Sequence, residues 1–286
     1  MHRHTTLLRT AAGLAACLAW PAATNTNAVQ INYFDVSGYP AFIAMPANPG
    51  PATPWVWYAP TRTNGSPDAP NDWLFQHLLD QGIAVAGIDV GESFGSPAGR
   101  AVYSTFYTYA TSQAGLNAKP CLLAQSRGGL MMYNWAAENA EKIRGIGGIF
   151  PVGDLRSYPG LATAAPAYGM TTAELQLHLA ENNPIDRLAP LAAAKIPIFH
   201  IAGDSDTIVP LEANSQVIYD RYTALGGQMT LVVVPGKGHE VVPEYFESQQ
   251  LLDFLTATAV PEPGAMTLLA VGLASLVSGR HRRTTA

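Results

Sequence analysis

Leu122-Leu123-Ala124-Gln125-Ser126-Arg127-Gly128-Gly129-Leu130 decides the reading of this chain. The apolar run over 119–125 predicts a strand buried on both faces, and 130–140 predicts a helix. A serine stands between them, with Ala124 two residues before it and Gly128 two residues after it. A strand that turns straight into a helix needs small residues there, because neighbouring backbone passes close to the turn. A helix starting at the turn also points free N–H groups toward it, and these favour negative charge. The stretch therefore predicts a serine hydroxyl presented on a strand-turn-helix unit.

The rest of the chain alternates in the same way. Residues 29–46 read as a hairpin around Gly38-Tyr39-Pro40, and 55–58 as a third strand. A Gly/Pro/Asn-rich loop covers 64–71, and Asp72 is placed to cap a helix over 73–81. Strands at 83–90, 119–125 and 143–152 are separated by helices at 102–115 and 130–140. Residues 155–190 break the rhythm, with one clear helix over 172–181. Strands at 196–202 and 229–234 and helices at 211–225 and 244–255 complete the series. Such alternation predicts an α/β fold, a mostly parallel central sheet with helices on both faces. The irregular piece after the sixth strand reads as a small cap over the site, at approximately 155–190.

A serine is a poor nucleophile at neutral pH and needs a base. Strand 229–234 runs into Pro235-Gly236-Lys237-Gly238-His239, which sets a histidine in a glycine-rich loop. His200 lies inside an apolar strand and reads as a core residue, and His178 sits on the cap helix. Two carboxylates follow strand 196–202, in Gly203-Asp204-Ser205-Asp206-Thr207-Ile208-Val209-Pro210.

The turn around Ser126, with an acid and then a histidine following in chain order, resembles the nucleophile elbow of the α/β-hydrolase superfamily, with Ala124 in the first glycine position. The resemblance spans about 29–257. Asp-x-x-Val-Pro resembles the acid turn of many of these enzymes, which implies Asp206 as the acid and leaves Asp204 to brace the turn. The oxyanion hole is then implied to use Arg127 N–H and a second backbone donor after the third strand. Pro60 has no N–H, so Tyr58, Ala59 or Thr61 must supply that donor, and Tyr58 is chosen. Pro54-Trp55-Val56-Trp57, Phe94-Gly95-Ser96-Pro97 and Tyr133-Asn134-Trp135-Ala136-Ala137 resemble one bacterial esterase-like subgroup. Tyr58 stands where that subgroup is expected to carry a basic residue.

The resemblance implies a serine esterase that cleaves carboxylic esters through an acyl-enzyme on Ser126, with no metal and no cofactor. Two other readings stand beside it. One is a prolyl-oligopeptidase-like serine peptidase, against which no propeller or long N-terminal domain precedes the body. The other is a non-catalytic surface binding protein of the same fold.

Apolar residues make up 48% of the chain and charged residues 13%, enough for a core and too few charges for general disorder. The formal net charge is −5. Arg3, Arg9, Arg280, Arg282 and Arg283 lie in the tails against Glu262 alone, so the body is more acidic still. An acidic body repels nucleic acid and predicts a small-molecule or carbohydrate-linked ester substrate. Of the two cysteines, Cys17 falls in the leader and Cys121 in the body, so no intrachain disulfide is expected. Four spaced Cys/His ligands for a structural zinc are absent from the sequence.

Residues 1–28 have a basic start, an Ala/Leu-rich middle and a small-residue exit, the layout of a secretory signal peptide. At the other end, Val260-Pro261-Glu262-Pro263 precedes an apolar run over 265–277 and then Gly279-Arg280-His281-Arg282-Arg283. That run is shorter than the ~20 residues of a comfortable membrane-spanning helix. Residues 259–286 resemble the PEP-CTERM sorting signal of Gram-negative bacteria. The resemblance implies transient membrane association, cutting by an exosortase-type processing enzyme, and release to the cell surface or beyond. The catalytic domain is then 29–258.

Overall fold

The computed structural model describes residues 31–61, 67 and 71–260. The leader over 1–28, all but the start of the sorting segment, and most of the 64–71 loop lie outside the described residues.

The hairpin is formed by β1 (Ile31–Val36) and β2 (Tyr39–Ala44), which turn at Ser37-Gly38. The later strands are β3 (Trp55–Ala59), β4 (Ala84–Ile88), β5 (Cys121–Gln125), β6 (Gly145–Ile149), β7 (Ile198–Gly203) and β8 (Met229–Val234). All eight make one sheet in the order β1-β2-β4-β3-β5-β6-β7-β8. β1 and β2 run antiparallel to their neighbours, and β3 to β8 run parallel. Every residue of β3 to β7 is buried, as continuous apolar runs require when helices cover both faces. β8 lies at the edge and is only partly buried.

Side chains alternate across a strand, and β3 sorts its residues accordingly. Trp55, Trp57 and Ala59 enter one core with Phe106, Trp135 and Tyr222. Val56 and Tyr58 enter the other, with Phe75, Leu123 and Leu255. The Trp57 ring lies 4.8 Å from Trp135 and 5.2 Å from Tyr103, so the conspicuous tryptophans are core residues.

Helices α1 (Asp72–Asp80), α2 (Pro97–Ser112) and α3 (Gly128–Glu138) join the first strands. Asp72 is the first helical residue of α1 and not its cap, which is Asn71, so its carboxylate acts on the positive helix end through charge. α2 begins at Pro97, before the expected 102, because Ser96 accepts a hydrogen bond from Gly99 N–H and proline suits a first turn.

Between β6 and β7 lie α4 (Leu161–Ala164), α5 (Thr172–Leu177), α6 (Leu179–Asn182) and α7 (Ala189–Ala193). The single helix expected over 172–181 is two short ones meeting at His178. This connection packs Leu155, Ala164, Tyr168, Leu175 and Leu179 against Phe94, Leu130, Val152 and Val209. Polar bonds fasten it. Buried Asn134 of α3 donates to Asn182 O at 2.7 Å and accepts from Arg187 at 3.1 Å, and Tyr168 donates to Phe94 O at 2.7 Å. Arg100 and Arg187 both reach Glu138 at 2.9 Å.

After β7 comes α8 (Ser215–Ala224), preceded by a tight turn over 211–213. The expected 244–255 helix is divided into α9 (Pro243–Phe246) and α10 (Gln249–Ala259), with Ser248 capping the second.

Candidate active site

Ser126 sits between β5 and α3 with φ of 49°, in the left-handed region that an L side chain enters at a cost of ~1–3 kcal/mol. Surrounding backbone holds it there. Ser126 N–H donates to Ile149 O at 3.0 Å, and its carbonyl accepts from Val152 N–H at 2.8 Å and Gly129 N–H at 3.0 Å. The end of β3 presses on the same turn: a Cβ added to Gly128 would stand 2.2 Å from Ala59 O. The small residue read from the sequence is therefore a packing requirement.

The loop after β8 brings His239 to this point. His239 Nε2 lies 2.9 Å from Ser126 Oγ, and Nδ1 lies 2.8 Å from Asp206 Oδ2. Asp206 accepts at Nδ1–H, which leaves Nε2 as the acceptor for the serine O–H. The other Asp206 oxygen accepts from Ile208 N–H and Val209 N–H, both at 2.8 Å. Burial alone would raise the Asp206 pKa. The His239 hydrogen bond and these two amides outweigh it and hold the carboxyl below its usual range.

Asp204 lies apart from His239. It accepts from Gly236 N–H at 2.7 Å and from Ser205 Oγ at 3.0 Å, while Ser205 N–H donates to Lys237 O at 3.0 Å. These bonds tie the acid turn to the histidine loop.

The other histidines are elsewhere. His200 is fully buried between Tyr133 (2.7 Å) and Ser215 (3.1 Å), and burial pushes its pKa down to about 3. His178 is exposed on the β6–β7 connection beside Glu181.

Arg127 follows the nucleophile position, and no backbone acceptor for its N–H is found among the described residues. Its guanidinium pairs with Glu92 at 3.0 Å. Tyr58 is placed differently from the expectation. It lies inside β3, in register with Leu123, and its hydroxyl donates to Gln125 at 2.7 Å. Backbone within a ladder faces its neighbouring strands, so Tyr58 N–H does not fit the second-donor role. Ala59 is likewise in register with Ala124. Thr61, the first residue past the strand with an N–H, lies outside the β3 ladder, in an isolated bridge with Pro67.

One neighbour of the site had no signal in the sequence. The Phe150 ring, just after β6, lies 4.3 Å from the His239 imidazole. Among the described residues no group of three or more His, Cys, Asp and Glu side chains is placed to hold a metal ion. Among those residues, too, no helix is long and apolar enough to cross a membrane. Chemically, the arrangement can draw the proton from Ser126 Oγ onto His239 while Asp206 holds the far side of the ring.

Solved structures of other proteins share the fold of this chain. The S-formylglutathione hydrolase of Agrobacterium tumefaciens is similar at 13% identity, covering 83% of this chain and 98% of that one, with a TM-score of 0.65. A thermostable esterase from Pseudomonas putida is similar at 16% identity over 82% of this chain and 84% of its own, with a TM-score of 0.62. Porphyromonas gingivalis dipeptidyl peptidase 4 matches at 15% identity over 80% of this chain, with a TM-score of 0.64, but this chain spans only 35% of that protein. The fold is that of the α/β-hydrolases. Residues 259–283 match the PEP-CTERM protein-sorting motif. No curated protein sequence matches the chain.

Proposed function

We propose that the protein is an exported serine hydrolase that cleaves carboxylic esters through an acyl-enzyme on Ser126. The observation that carries this reading is the line of two hydrogen bonds, 2.9 Å from Ser126 to His239 and 2.8 Å from His239 to Asp206, ending on a strained serine. In the proposed mechanism His239 takes the serine proton as Oγ attacks the ester carbonyl. The negative oxygen of the tetrahedral intermediate is held by Arg127 N–H and, in place of Tyr58, by Thr61 N–H. His239 returns the proton to the departing alcohol, and a water activated by the same imidazole hydrolyses the acyl-enzyme. Asp206 orients the ring and stabilises its protonated form. The substrate is a small or carbohydrate-linked ester. Residues 29–258 form the catalytic domain, with 155–190 as its cap. The sorting motif fits export, transient membrane association and exosortase cutting, and the intact mass of protein from its native host tests for removal of both tails.

The decisive assay compares p-nitrophenyl acetate and butyrate turnover by wild type and Ser126→Ala. The expected loss is on the order of 10⁶ in kcat. Equal rates for the two proteins would support a binding protein of this fold. Cleavage of dipeptidyl p-nitroanilides without ester turnover would support a peptidase.

A further inference from the structure

Phe150 has a φ of 36°, a conformation that bulky L residues rarely adopt. Glycine or asparagine would make that turn with less strain, yet the chain places an aromatic ring there. The ring is 3% exposed and lies 4.3 Å from the imidazole of His239, with 52° between the planes. Tyr245 at 5.1 Å and Phe246 at 5.9 Å back it edge-on. Phe150 N–H donates to Ile201 O of β7 at 2.8 Å, so the ring is anchored to the strand that leads to the Asp206 turn. Tyr245 also donates its hydroxyl to Gly238 O at 3.2 Å, one residue before His239. None of the bonds that join Ser126, His239 and Asp206 involves this ring.

We propose that Phe150 is a positioning residue whose face keeps the His239 ring in line between Ser126 and Asp206 and stabilises the imidazolium formed during turnover. The inference rests on the reading of those three residues as the catalytic set. An aromatic face attracts a cation within about 6 Å of its centroid. The imidazolium exists only once the serine proton has moved, so the contact strengthens toward the transition state. The charged and titratable groups around His239 are otherwise few. Asp206 takes Nδ1 and Ser126 takes Nε2. Glu240 accepts from Gly238 N–H, Asp204 accepts from Gly236 N–H, and Lys237 is paired with Glu244. Tyr245, whose pKa burial pushes up to about 12, stays neutral at working pH. Phe150→Leu removes the aromatic face and leaves every one of these charges in place.

The test joins two readouts on folded protein: pH profiles of kcat and KM for p-nitrophenyl acetate, and NMR titration of the His239 ring, assigned by its loss in His239→Gln. The acid limb of kcat/KM reports the free histidine, which must be unprotonated to act as base. Loss of imidazolium stabilisation lowers its pKa, so in Phe150→Leu both the limb and the NMR titration should move down by about half a pH unit. kcat should fall roughly three- to tenfold with KM unchanged, and Phe150→Tyr should restore both. Phe150→Met replaces Phe150→Leu if the latter fails to fold. If Ser126-dependent turnover is present and His239 titrates as in wild type, the ring is only a wall and the proposal is overturned. If ester turnover is absent while His239 titrates lower in the variant, the ring contact stands and the hydrolase reading fails.

Discussion

Gly128→Ala puts one methyl group at the tightest point of the nucleophile turn. Its Cβ would stand 2.2 Å from Ala59 O, 2.5 Å from the Ala59 carbonyl carbon and 2.7 Å from Pro60 N, where ordinary contact begins near 3.4 Å. All three atoms are backbone, so no side chain can rotate out of the way. The end of β3 or the first turn of α3 must retreat by about 1 Å in a close-packed interior. A displacement of that size in a reacting geometry costs about 10²-fold in rate, and overpacking costs the fold ~1–3 kcal/mol. The assay is kcat and KM for p-nitrophenyl acetate, normalised to sites titrated with an organophosphonate, with the thermal midpoint measured beside it. We expect kcat about a hundredfold lower with a modest fall in midpoint. Gly238→Ala is the control, since a Cβ there meets only Ser205 O at 3.5 Å although His239 is the next residue. If Gly128→Ala keeps kcat within about threefold of wild type and its midpoint, the claim that β3 and the turn must meet this closely is refuted.

Asp206→Asn should lower kcat by about 10⁴. Because the folded carboxyl lies below its usual range, its stabilisation is present above about pH 4 and lost as pH falls through the folded value. The gap in thermal midpoint between wild type and Asp206→Asn should therefore close on acidification, and a gap that widens would contradict the assignment. His200 is held neutral, with its pKa down at about 3. Protonation in the unfolded chain should thus draw stability down by up to ~1.4 kcal/mol per pH unit below about pH 6.5. Urea midpoints from pH 7.5 to 4.5 should show a shallower slope for His200→Gln, and equal slopes would place the acid sensitivity elsewhere. Asn134→Ala unfastens the β6–β7 connection from α3 and should cost ~2–4 kcal/mol in urea denaturation. Limited proteolysis should then cut earlier within 155–190, and an unchanged cleavage pattern would count against the tether.

The parallel sheet was legible because β3 to β7 are covered on both faces, which forces the unbroken apolar runs that the sequence displays. The serine turn was legible because its small neighbours answer a steric demand, as the Gly128 contacts show. The loops carrying Asp206 and His239 were legible because parallel strands end on the same side of the sheet. Other features depend on contacts that the local sequence does not encode. Tyr58 was misplaced because one residue more of strand decides whether an amide faces a neighbour or the site. The α2 start is set by Ser96-Pro97, a cap and a first-turn proline that precede the apolar pattern of the helix. Phe150 gave no signal at all. Its positive φ contradicts its residue type, and the ring it touches lies in a loop 89 positions away.

Ser126 is borne by β5, Asp206 by the turn after β7 and His239 by the loop after β8. None of the three lies within residues 155–190, whereas Phe150 and Val152, at the start of the β6–β7 connection, touch the His239 ring and the Ser126 turn. Residues 155–190, and not the start of the connection, are consequently a cassette. Insertion, deletion or wholesale exchange there leaves the hydrogen-bonded line on the sheet and its adjoining turns. Two clasps define where a graft must be joined, Asn134 with Asn182 and Arg187 on one side and Tyr168 with Phe94 on the other. A library built between those clasps would test whether this segment selects the molecules that reach the serine.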